Sequence, residues 1–235
     1  MSYTKRFDAR KFDEPREMEA RAGIIKRADG SAMFRMGKTI AIAAVYGPRQ
    51  LYPSFLQDPE TGILRCNYDM LSFSVNDRKR PGPSRRSVEI SLVTTNALLP
   101  AIDLSGYPNT VVDVFIQVIQ ADAGTRCAGI CAASMALADA GIPMKDLVCA
   151  ISVGKVGDKV VMDLNKEEED YKDGATDIPV AIMPRSSEVT LLQLDGEVQK
   201  DDLVQALRLA KKGVDQIYKL QKQALKDRYG GIKNE

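Results

Sequence analysis

The sequence predicts an α+β domain built on a mixed sheet, and three features carry that reading. TVVDVFIQVIQ (110–120) alternates apolar and polar residues and is rich in β-branched side chains, as a half-buried strand is. CAGICAASMALADAG (127–141) is a small-residue helix, closed by Gly141 with Pro143 beyond it. Around these two, strand and helix signals interleave without the regular strand–helix alternation of a doubly wound sheet.

The elements follow in order. The first 20 residues are charged and aperiodic and form an N-terminal arm ahead of a single domain spanning 21–235. From Gly23 to Gly47 short apolar runs are separated by Asp29-Gly30 and Gly37-Lys38, the pattern of strands joined by tight turns. Residues 48–66 read as a loop and 67–75 as a strand, followed by the basic Pro/Gly segment NDRKRPGPSRR. Val88, Leu92, Val93, Ala97 and Leu98 then recur at helical spacing up to Pro100. Beyond the strand at 110–120 and the small-residue helix, strands are expected at 147–156, 159–164, 178–183 and 189–194. The acidic loop NKEEEDYKDGATD lies between the second and third of these. The chain closes on an amphipathic helix, 200–228, with Leu203, Leu207, Ala210, Val214, Ile217 and Leu220 on one stripe.

Among its 235 residues there is no histidine, which removes Ser-His-Asp and Cys-His nucleophiles, H-E-x-x-H zinc sites and a histidine general base. Lys and Arg number 33 against 32 Asp and Glu, a net charge of +1, so nucleic-acid binding must come from local clustering. Cys66, Cys127, Cys131 and Cys149 form no C-x-x-C pair and read as small buried residues in a reducing compartment. The N-terminus is too charged for a signal peptide, and no apolar run approaches the roughly 18 residues of a membrane span. A cytoplasmic protein without a membrane partner is expected.

One motif is set aside. Ala32 to Thr39, AMFRMGKT, fits a loose phosphate-loop pattern. A phosphate loop needs a small, flexible interior and a helix after it, whereas here the interior is Met-Phe-Arg-Met and TIAIAAVY alternates like a strand.

Three segments carry chemistry. Asp122-Ala123-Gly124-Thr125-Arg126 joins the best strand to the small-residue helix. A glycine turn before a helix start presents free N–H groups and a positive dipole end, and Arg126 adds a planar fork matched to phosphate. The segment Arg78-Lys79-Arg80-Pro-Gly-Pro-Ser-Arg85-Arg86 holds five positive charges in nine residues and suits an RNA phosphate backbone, with Arg86 placed to join Arg126 around one phosphate. Asp163, Glu167, Glu168, Glu169, Asp170, Asp173 and Asp177 crowd an acidic segment. Crowded carboxylates raise one another's pKa, can supply a general acid, and can also accept Mg²⁺. Asp177 adjoins the apolar strand IPVAIM and is therefore the most fixed of them. No transition-metal site is expected.

These fragments, with RADGSA, AAVYGPR, FSVNDRKRPGPSRRSVEIS, ALADAGIPMKDLV, VGKVGD, TDIPVAI and LLQLDG in the same order, resemble the RNase PH family of phosphorolytic exoribonucleases. Within it the text is most similar to the active ring subunits of archaeal exosomes, from about residue 8 to residue 220. The resemblance implies a domain like ribosomal protein S5 domain 2, working in a hexameric ring of three heterodimers with a homologous inactive subunit, under RNA-binding cap subunits. The implied reaction is attack of inorganic phosphate, as co-substrate, on the 3′-terminal phosphodiester of single-stranded RNA. A nucleoside diphosphate is released, and the reverse reaction adds nucleotides.

Carried over by position, the resemblance makes Asp177 the general acid with Asp170 as its partner. Arg86, Gly124, Thr125, Arg126 and Cys127 bind phosphate, and Arg65 contacts the RNA backbone. The chain departs from the family where Ala9 and Ala123 replace glycines, where Cys127 replaces a serine, and where Asn67 replaces a basic residue. Asp170 and Asp177 are seven residues apart where relatives space them by six. The rival readings are a ring subunit that binds RNA without cleaving it, a bacterial-type homohexamer trimming tRNA ends, and an S5-like structural module that binds folded RNA.

Overall fold

In the computed structural model, which describes residues 3–77, 79–172 and 174–230, two sheets enclose one buried helix. The first sheet has the order β1-β2-β3-β5-β4, from β1 (Met18–Ala22), β2 (Gly30–Met36), β3 (Thr39–Gln50), β4 (Ile63–Met70) and β5 (Thr110–Gln120). All its pairings are antiparallel except β4 with β5, which run parallel. The second sheet, antiparallel throughout, has the order β7-β6-β8-β9, from β6 (Cys149–Val156), β7 (Lys159–Met162), β8 (Ala175–Met183) and β9 (Glu188–Leu192). Among the helices, α1 (Arg85–Leu98) covers β4, α2 (Thr125–Asp139) lies between the sheets, α3 (Lys166–Glu169) is one turn, and α4 (Lys200–Tyr229) packs on β6, β7 and β1. This is the mixed α+β architecture expected.

The composition of α2 explains the layering. From Cys127 to Leu137 every residue is buried, so the helix is apolar on all sides. Its alanines, cysteines, Gly129 and Ser134 keep it narrow enough for two sheets to close on it. On the first sheet it meets Val112, Val114, Ile116 and Val118, the face that alternation in β5 predicts. A single apolar cluster runs from these residues through α2 to Ile151, Val153, Ile178 and Val180 of the second sheet.

Three expectations need correcting. Residues 48–66 are not one loop: β3 continues to Gln50, and β4 occupies Ile63–Met70 rather than 67–75. The period-two pattern was present, with Leu64, Cys66 and Tyr68 buried, but the polar residues between them masked it. In α1 the buried residues are Ser87, Ile90, Thr94, Ala97 and Leu98, while Val88 and Leu92 are exposed. The helix is turned this way because β4 is an edge strand whose free N–H groups need acceptors. Tyr68 N donates to Ser91 Oγ at 2.9 Å and Cys66 N to Thr95 Oγ1 at 3.3 Å, so hydroxyls face the sheet. The charged arm contributes β1 and a buried strap, described below.

The segment resembling a phosphate loop is the β2–β3 hairpin, turning at Gly37 and Lys38. All four cysteines are free and buried. Among the described residues no helix is long and apolar enough to cross a membrane.

Candidate active site

The chain leaves β5 at Gln120 and enters α2 through two consecutive residues in the left-handed region, Ala123 (φ 59°) and Gly124 (φ 63°). Thr39 pins this turn: its Oγ1 donates to Ala123 O at 2.6 Å and accepts from Asp122 N at 2.9 Å. The turn aims the first N–H groups of α2, on Thr125, Arg126 and Cys127, away from any helical acceptor. Arg126 is held beside them by a hydrogen bond from Nη1 to Gln193 Oε1, beyond β9. Its Nε is buried and has no partner. Unused donors at the positive end of a helix make an anion site. Cys127 adds its backbone N–H; its side chain is fully buried, and burial pushes the thiol pKa well up.

Asp177 faces this site from β8. Its backbone forms a bridge with Asp195, N to O at 3.0 and 2.9 Å, and it sits opposite Gly154 of β6. Close passage of the two strands requires that glycine, because a Cβ there would stand 1.9 Å from Thr176 O. Ser152 Oγ donates to Asp177 Oδ1. The carboxyl pKa is raised above its ordinary value: burial is the main cause and Asp195 adds to it, outweighing Ser152, Arg126 and Arg86. Both arginines expected to share a phosphate therefore act on the same carboxyl, although Arg86 is itself exposed in the first turn of α1.

A further carboxylate that Asp177 acts on is Glu169. Its pKa is raised, first by burial and then by Asp177, against the opposing pull of Lys166 and Arg86. Asp170, the partner expected from the resemblance, is 63 % exposed and points to Lys166 Nζ at 2.7 Å. The one-turn helix α3 sets this difference by turning adjacent side chains to different sides. Asn165 caps it in a reciprocal box with Glu168.

The N-terminal arm, whose role the sequence did not reveal, ties these pieces together. Arg16 grips Asp163 through Nε (2.9 Å) and Nη2 (2.7 Å), and its Nη1 also donates to Asp122 O. One guanidinium thus joins the acidic segment to the phosphate turn. Arg6, fully buried, donates from Nε and Nη2 to Glu168 at 2.7 Å each, and to the carbonyls of Met162 and Asp163 at 2.8 Å. Net charge along the arm hid these residues, because only the folded chain shows which arginines turn inward.

The remaining basic residues separate. Arg65 lies on the face of β4 away from the helices and binds Asp113 at 2.5 and 3.0 Å, sharing it with Arg49. Lys79 pairs with Asp69 and donates to Met70 O at 2.9 Å. Arg80 and Arg85 are exposed on the approach to α1. Arg78, and Asp173 of the acidic segment, lie outside the described residues. The charge of Arg86, at the helical end of the basic segment, acts on Glu169 of the acidic segment and lowers its pKa against the stronger effect of burial. For Mg²⁺ the site offers the pair Glu169 and Asp177; no group of three or more candidate ligands gathers among the described residues.

Residues 14–143 match the first-domain model of the 3′ exoribonuclease family, and residues 146–213 match its second. The exosome complex component Rrp41 of Thermococcus kodakarensis is 54 % identical over 231 residues, covering 98 % of this chain and 92 % of the relative. That of Methanopyrus kandleri is 53 % identical over 226 residues, covering 96 % and 94 %. Among solved structures, rice Rrp46 superposes with a TM-score of 0.79 at 25 % identity over 94 % of this chain and 100 % of that one. An Archaeoglobus fulgidus exosome with RNA bound to its active site shares the fold, with a TM-score of 0.77 at 24 % identity over 91 % of each chain. With both family models matched in order across most of its length, the chain belongs to the 3′ exoribonuclease family.

Proposed function

We propose that this chain is the catalytic ring subunit of an archaeal-type exosome, degrading single-stranded RNA from its 3′ end with inorganic phosphate as co-substrate. The observation that carries the reading is the meeting of the anion site at Arg126 and the start of α2 with a carboxyl whose pKa is raised, Asp177. The relatives that share half its sequence are exosome components, which supports the complex; the hexamer of three heterodimers and its RNA-binding caps belong to the same proposal.

The chemistry needs no activated side-chain nucleophile, which suits a chain without histidine. Phosphate bound between Arg86, Arg126 and the first-turn N–H groups presents an oxygen to the 3′-terminal phosphorus. A new P–O bond forms, the bond from phosphorus to the penultimate 3′ oxygen breaks, and that oxygen takes the proton of Asp177. A nucleoside diphosphate leaves. Arg86 and Arg126 neutralise the two anions as they approach, and burial raises the Asp177 pKa, which favours the proton-bearing form that its role uses.

The test is to incubate the chain, with its partner subunit, with end-labelled single-stranded RNA in the presence and absence of phosphate. Shortening that depends on phosphate and yields nucleoside diphosphates is the expected result. Shortening that ignores phosphate, or nucleoside monophosphate products, would overturn the reading.

A further inference from the structure

Tyr68 is 4 % exposed, and its hydroxyl has no hydrogen-bond partner. An unsatisfied buried hydroxyl pays its desolvation cost without return, so one retained in a core calls for an explanation. Its position supplies one. Tyr68 belongs to the helix-facing side of β4, where its backbone N–H is fixed on Ser91 of α1 and its ring rests on Gly129 of α2. A Cβ at Gly129 would stand 3.5 Å from the ring.

The phenol therefore lies between the two helices whose first turns carry Arg86 and Arg126. Both guanidiniums act on it, and the Thr125 hydroxyl lies close by without forming a hydrogen bond that satisfies it. Burial, the largest influence, raises its pKa, so it keeps its proton and can donate. A second orphan donor, Arg126 Nε, belongs to the same site.

We propose that Tyr68 is a further phosphate-binding residue: its hydroxyl donates to an oxygen of the phosphate held by Arg86, Arg126 and the first turn of α2. The inference rests on the phosphorolytic reading and adds to it a neutral donor from below the site. That donor stays in place whatever the RNA does, unlike the exposed Arg86.

The experiment is thermal unfolding of the full chain over a range of inorganic phosphate concentrations, comparing wild type with Tyr68→Phe and Arg126→Gln. Ligand binding to the folded state raises the melting temperature with the logarithm of one plus the ratio of ligand concentration to Kd. Wild type should show the rise, Arg126→Gln should lose it, and Tyr68→Phe should need about ten- to a hundredfold more phosphate for the same rise, the value of one hydrogen bond to a charged group. Without phosphate, Tyr68→Phe should melt no lower than wild type, since it loses only an unpaired hydroxyl. A purely structural tyrosine would change the phosphate-free melting temperature and leave the phosphate dependence alone. An equal response in wild type and Tyr68→Phe, or none in wild type, overturns the inference. The RNA assay is independent: if shortening ignores phosphate while the melting response still depends on Tyr68, the phosphorolytic reading fails and the anion site stands.

Discussion

The charge of Asp177 acts on Glu169, whose pKa is raised by burial first and by Asp177 second. Asp170 is turned into solvent and neutralised by Lys166. Glu169 and Asp170 differ by one position on a single helical turn, so the capping of that turn by Asn165 sets the way each of them faces.

Substitution should separate the three acids. Asp177→Asn removes the proton donor and should lower phosphate-dependent RNA shortening by about 10²–10⁴-fold while RNA binding persists. Glu169→Gln should change the rate and its pH dependence. Asp170→Asn, an exposed substitution, should leave the rate within about twofold. A larger effect at Asp170 than at Glu169 in single-turnover rates would contradict this arrangement.

Asp177 also sets a pH dependence with a definite sign. It must be protonated to act, so activity should decline as pH rises through its raised pKa. Ser152 lowers that pKa by its hydrogen bond, so Ser152→Ala should move the alkaline limb of the pH–rate profile upward. Because the folded pKa exceeds the unfolded one, the stabilising proton is lost as pH rises. Asp177→Asn should therefore be more stable than wild type at neutral pH, with the difference shrinking toward acid.

The strap at Arg6 predicts a different profile. Burial raises the Glu168 pKa, but hydrogen bonds from Arg6 and Tyr3 outweigh it and hold the carboxyl below its ordinary value. Its contribution is present above the unfolded pKa and fades as pH falls through the lower folded one. Arg6→Ala leaves a buried carboxylate unpaired and should cost about 3–5 kcal/mol in urea unfolding at neutral pH. That loss should shrink in acid, and activity should suffer because the arm also holds Asp163 and Asp122.

Two alanines occupy left-handed backbone where the resemblance expects glycine: Ala9 at φ 63° and Ala123 at φ 59°. The left-handed region costs a residue with a Cβ roughly 1–2 kcal/mol, of which glycine's extra chain entropy returns part. Ala9→Gly and Ala123→Gly should each stabilise by about 0.5–1 kcal/mol, read as a rise of a few degrees in melting temperature. A fall at either position would show that the surrounding contacts prefer alanine.

Local pattern determined much of this protein. The alternation of 110–120, the small residues of 127–141 and the stripe of 200–228 specify their elements because each records its own burial in its spacing. The Gly124-Thr125-Arg126 turn was legible for the same reason, since a helix start after a strand is a local event. Tertiary structure decided the rest. Val88 and Leu92 face solvent because an edge strand needed the hydroxyls of Ser91 and Thr95. Arg6 and Arg16 turn inward because acids about 150 residues away await them. Glu169 turns to the buried side and Asp170 to Lys166 through the pitch of one capped turn, and Arg86 and Arg126 act on Tyr68 only because two helices converge above it. Each of these depends on a partner distant in the chain, and spacing along a sequence carries no record of such a partner.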